Sequence, residues 1–194
     1  MPKLLPVDRY KEIKLSIVDM FEECKLFRIP INGLEIATLL QYRLIPYSTL
    51  SLPERNAAEA ESEDGYCEVK LRDDGIYEYV INYNDSAMPE RMNWTILHEI
   101  GHIYLGHLDD NKKAPAVEEA EANFFAKYAI APPPLVNELR CSCPEDIQKK
   151  FHTSWTAACN CYAYYQKWKQ YGPIDYELFE RRLIRMFSDL RVAM

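Results

Sequence analysis

No stretch of this 194-residue sequence carries the eighteen or so consecutive apolar residues that a membrane helix needs. Its first residues, Met1 to Asp8, have no apolar core of signal-peptide length, so a cytoplasmic protein without a membrane anchor is expected. Net positive charge is missing as well. The formal charge of −7 argues against broad affinity for phosphate backbones and makes nucleic acid a poor first partner, although a local basic patch stays compatible with it. The chain also lacks the C-x-x-C knuckles of structural zinc sites. Its six cysteines include two C-x-C pairs, Cys141/Cys143 and Cys159/Cys161. The second pair would point about 200° apart on a helix, so reduced, mostly buried thiols are expected in place of a second zinc site or a disulfide framework.

What remains is a globular composition. With 48% hydrophobic and 12% aromatic residues among interspersed charges, the chain has enough material for one good core, or a core with a small appendage. The expected organisation is a core domain over residues 1–132 and a helical C-terminal extension over 133–194.

The stretch with the most chemistry is Trp94 to His107, which contains His98-Glu99-Ile100-Gly101-His102. Helical spacing puts His98 and His102 on nearly one face, where two imidazoles reach the same metal ion while Glu99 addresses water beside it. Ile96, Leu97, Ile100, Ile103 and Tyr104 interleave with these polar groups, as in a buried helix. Gly101 costs such a helix about 1 kcal/mol relative to Ala, which suggests that another segment approaches closely there.

Read in order, apolar residues at Ile13, Ile17, Met20, Phe21 and Cys24 predict a helix from Asp8, as N-cap, to about Arg28. Ile29 to Gly33 breaks it, and a short helix follows over Leu34 to Leu40. Tyr42 to Tyr47 reads as a strand that Pro46 assigns to an edge or an end. Pro53 to Gly65 is the most loop-like segment, with a helix possible over Pro53 to Glu61. Tyr66–Leu71 and Ile76–Asn82 alternate around Asp74-Gly75 and predict a β-hairpin. Pro89 suits the first position of the helix bearing His98. The expected class is therefore α+β, mainly helical with a small three-stranded sheet, in the manner of zincin peptidases.

A catalytic metal needs a third protein ligand. His107 does not supply it in the metzincin manner, because that motif requires glycine and histidine where Leu105 and Leu108 stand. The acidic cluster after Val117 is the alternative. Glu119 ranks first there because it shares a face with Asn123, which is placed to hydrogen-bond a histidine from behind. Glu121 ranks second and Glu118 third, the latter suiting a solvated helix start. Tyr83, Tyr104 and His107 are candidates to stabilise an oxyanion.

Past Pro132-Pro133-Pro134 a short helix is expected over Leu135 to Leu139. Another opens at Pro144-Glu145-Asp146 with Ile147 and Phe151, and one from Trp155 is capped by Thr153 or Ser154. Trp155, Ala158, Tyr162 and Tyr165 repeat at helical spacing there. The pair resembles a helix-turn-helix, but Asn160, Tyr164, Gln166 and Lys167 make no basic face, so packing or partner binding is favoured over DNA reading. An amphipathic helix over Asp175 to Leu190 closes the chain.

Ile81 to Asn84, Arg91 to His102, Leu105-Gly106-His107 and Glu119 to Ala126 with Ala131-Pro132 together resemble the ImmA/IrrE family of zinc metallopeptidases. That family carries R-x-x-F/W-T-x-x-H-E-x-G-H and then E-x-x-A-N-x-F-A. The resemblance spans roughly residues 10–170 in architecture and is specific over 81–132. It implies a gluzincin-like zinc site of His98, His102 and Glu119 with Glu99 as general base. It also implies a protein substrate, such as a helix-turn-helix repressor, that is cleaved or inactivated. Where the family usually has Leu-Leu-Met-Pro, this chain reads Tyr128-Ala129-Ile130-Ala131-Pro132, a difference of packing more than of chemistry.

Overall fold

The computed structural model describes residues 5–109, 114–172 and 174–188. The elements run α1 (Val7–Glu23), α2 (Gly33–Leu39), β1 (Arg43–Pro46), α3 (Leu52–Glu61), β2 (Gly65–Leu71), β3 (Tyr77–Tyr83), α4 (Pro89–Tyr104), α5 (Pro115–Ile130), α6 (Pro133–Glu138), α7 (Pro144–Phe151), α8 (Trp155–Tyr171) and α9 (Leu178–Met186). The class is the expected one, mainly helical α+β with a three-stranded mixed sheet. The residues gather into two units, one formed by Met1–Pro6 with Asn32–Ala126 and the other by Val7–Ile31 with Lys127–Met194. No helix among the described residues is long and apolar enough to cross a membrane.

In the first unit the sheet order is β1-β3-β2. β3 is central, parallel to β1 with Arg43 opposite Val80 and antiparallel to β2 with Cys67 opposite Ile81. Its second half is buried from Val80 to Tyr83, as a strand with neighbours on both sides requires. Pro46 ends β1 on the sheet's edge, where a missing N–H costs no ladder bond. The hairpin turns at Asp74-Gly75, with Gly75 at φ +80°, a conformation glycine adopts without strain. The acidic segment takes the helix that the sequence left open over Pro53 to Glu61: α3 lies between β1 and β2, with the Ser51 amide and hydroxyl both donating to Glu54 in a capping box. Ala58 is its buried residue, so the helix shows solvent the charged face that made the segment read as a loop.

Asn32 caps α2 by accepting from the Glu35 amide. α4 begins with Pro89 in its first turn and packs on β2, β3 and α2. Its apolar stripe of Ile96, Leu97 and Ile100 is wholly buried. Gly65 sits where β2 passes α4; a Cβ there would stand 2.9 Å from Thr95 Cγ2 and 2.8 Å from the Asn82 carbonyl.

In the second unit α1 buries Ile13, Ile17, Met20 and Phe21 and packs with α9. It ends at Glu23, short of the expected Arg28, and Lys25 takes a left-handed φ of +50°. Asp8 lies inside its first turn and does not cap it. Arg182 of α9 ties to Asp19 at 2.7 Å and to Glu22. α7 and α8 pack together across His152-Thr153-Ser154, with His152 left-handed and Ser154 accepting from the Ala157 amide. This is the expected helix-turn-helix-like segment. Ala158 and Tyr165 are buried, but Trp155 is 48% exposed and stands off the expected stripe. α9 is shorter than predicted; it buries Phe179 and Leu183, and the last expected residues, Asp189 and Leu190, lie outside the described ones. All six cysteines are free thiols, with Cys24, Cys141 and Cys161 buried.

Candidate metal centre

One helical turn separates His98 from His102 on α4, and their Nε2 atoms stand 3.1 Å apart. Glu119, in the second turn of α5, brings Oε2 to 3.5 Å from His98 Nε2 and Oε1 to 3.3 Å from His102 Nε2. The imidazoles are largely covered, with side chains 15% and 13% exposed, while the carboxylate is 58% exposed. These three residues form a group whose ligand atoms all lie within 4.8 Å of one another. Ligands held tetrahedrally at zinc's usual ~2.0–2.1 Å stand about 3.3–3.4 Å apart, so both the spacing and the two-nitrogen, one-oxygen donor set fit that ion. Burial lowers the pKa of both histidines, that of His102 to about 4 with help from His98 and His107. Burial thus favours the neutral form of both rings, the form with lone pairs to offer.

The approach of α5 to α4 brings the Glu119 carboxylate to the two imidazoles. A Cβ on Gly101 would lie 3.1 Å from the Cβ, Cγ and Cδ1 of Phe125. The close approach anticipated at that glycine is therefore made by α5, the helix that carries Glu119.

Glu99 points to the same open cleft, whose walls include Tyr66, Cys67, Trp94, Thr95 and Glu118. It is 7% exposed, and burial pushes its carboxyl up to about 7 against the pull of hydrogen bonds from the Cys67 thiol and amide. Burial and the Glu99 carboxylate together push the Cys67 thiol well above its ordinary range.

Asn123 donates from Nδ2 to the Glu119 carbonyl at 2.8 Å, and its side chain also bonds His98. Glu121 lies elsewhere. Its Oε2 is 2.9 Å from His107 Nε2, and both side chains are 2% exposed. The other ring nitrogen of His107, Nδ1, is 3.0 Å from His102 Nδ1. Both nitrogens of His107 are thus engaged, which removes it as a donor to an oxyanion. Tyr104 packs on Phe125, and neither it nor Tyr83 is among the residues lining the cleft.

Sequence reasoning missed two relationships, Cys67 with Glu99 and His107 with Glu121. The first depends on which strand the sheet lays beside α4. The second depends on Gly106, whose φ of +73° turns the chain past α4 and brings the His107 amide to the His102 carbonyl at 2.9 Å.

Among known proteins, residues 55–140 match the model of the IrrE N-terminal-like domain, an M78 peptidase model. No curated protein matches the chain. The matched stretch contains Glu99 and the His98–His102–Glu119 group in full. Residues 55–140 thus carry an IrrE N-terminal-like domain, the domain of the ImmA/IrrE metallopeptidase family.

Proposed function

We propose that the protein is a zinc-dependent endopeptidase that cleaves a specific regulatory protein, of the helix-turn-helix repressor class. The observation that carries this reading is the convergence of His98, His102 and Glu119 within 4.8 Å, with the buried carboxylate of Glu99 in the same cleft. His98 and His102 would hold the ion through Nε2 and Glu119 through its carboxylate. Bound there, zinc supplies Lewis acidity, which polarises a peptide carbonyl and lowers the pKa of water from about 16 toward 7.

The chain's own residues do the rest. Glu99 takes the proton from the attacking water and passes it to the leaving amine. Burial raises its proton affinity toward neutrality, which suits a group that must first accept and then donate. Asn123 ties the Glu119 backbone to the His98 ring, so the two helices present their ligands together.

The test is co-incubation of the purified protein with a repressor encoded beside it, read by mass spectrometry. A defined cleavage, lost in Glu99→Gln with zinc content retained, is the expected result. Hydrolysis surviving in that variant would sink the assignment. Glu119→Ala should release the metal. An intact repressor nevertheless freed from its operator would favour a regulator that binds without turnover, and operator binding by the peptidase itself would favour DNA reading through α7 and α8.

A further inference from the structure

We infer that His107 and Glu121 are positioning residues that fix the tautomer and ring orientation of His102. The inference rests on reading His98, His102 and Glu119 as a metal site. It starts from three groups in a row: Glu121 Oε2 at 2.9 Å from His107 Nε2, and His107 Nδ1 at 3.0 Å from His102 Nδ1. The His107 and Glu121 side chains are each 2% exposed, so water does not substitute for either partner, and an unmatched contact would carry its full cost.

With His107 neutral, the hydrogens can be arranged in one way. A carboxylate offers only lone pairs, so His107 must place its hydrogen on Nε2. Nδ1 of that ring is then an acceptor, and the atom facing it, His102 Nδ1, must carry hydrogen. That leaves the His102 Nε2 lone pair directed at Glu119, where a cation needs it. Reversing the row would set a His107 lone pair against the Glu121 carboxylate and put hydrogen on His102 Nε2, blocking the ligand atom. Glu121 therefore writes the tautomer of His102 through the intervening ring.

Zinc affinity of the full chain, measured by competition with a chromogenic chelator, separates positioning from packing. His107→Asn keeps an oxygen acceptor near the old Nδ1, whereas His107→Phe fills the space but accepts nothing. The expected result is a zinc affinity weakened about 10–100-fold in the Phe variant and largely restored in the Asn variant. The opposite order, or equal losses, would overturn the inference. Because either variant can misfold, the wild-type protein loaded with zinc supplies a second readout. Long-range 1H–15N correlation of the imidazoles should show His107 as the Nε2–H tautomer, and an Nδ1–H ring there would refute the assignment. Failure of the wild type to bind zinc at all would instead refute the metal site itself.

Discussion

The backbone amide and the thiol of Cys67 both donate to the carboxylate of Glu99. One residue of β2 therefore aims the group proposed as general base. Cys67→Ala removes the thiol and leaves the amide. It should slow hydrolysis about tenfold, the size of one hydrogen bond to a charged group, with zinc content unchanged. Cys67→Ser restores a donor and should recover most of the rate. Rates are read on the substrate found by co-incubation; an Ala variant as fast as wild type would show that the amide suffices.

Gly101→Ala tests the approach of α4 and α5, the helices that carry the candidate ligands. In an open helix the exchange gains about 1 kcal/mol. Here the new methyl would stand 3.1 Å from three atoms of Phe125, including its Cβ, and a Cβ cannot move without its backbone. Phe125 is fully buried, so overpacking of about 1–3 kcal/mol should win. Urea unfolding should show a lower midpoint at an unchanged slope.

Asp146 gives the second unit an acid-sensitive contact. Its carboxylate accepts from the Ser142 amide at 2.7 Å and from the Ser142 hydroxyl, and these bonds hold its pKa down at about 2, below the ordinary 3.8. A depressed folded-state value means that the stabilisation is fully present above the unfolded value and lost as pH falls through the folded one. Thermal melts between about pH 5 and 2 should therefore show a component that Asp146→Ala lacks. Identical acid profiles for the two proteins would rule out this role.

The candidate metal-binding part of α4 was readable because its chemistry is local: two histidines and a glutamate within five consecutive residues, periodic with their apolar neighbours. Glu119 was reachable because Asn123 follows it by one helical turn. The Cys67 contact was not, since the sheet order β1-β3-β2 is decided by long-range pairing. Glu121 was read as a spare ligand because a carboxylate's sequence neighbourhood does not say which way the helix faces. α3 carried a legible capping signal in Ser51-x-x-Glu54 that its exposed composition outweighed. The end of α1 carried none, because Lys25 adopts a left-handed conformation that lysine does not advertise.

The pairing of Gly101 with Phe125 also bears on ion choice. With no side chain on Gly101, α5 lies close enough to α4 for the Glu119 carboxylate to stand 3.5 Å from His98 Nε2 and 3.3 Å from His102 Nε2. Calcium takes six to eight oxygens at about 2.3–2.6 Å, so a bite this narrow with two nitrogens among its donors discriminates against it. The bare Cα at residue 101 thus sets how near the Glu119 carboxylate comes to the imidazoles, and a side chain there should widen the gap that any small cation would have to bridge.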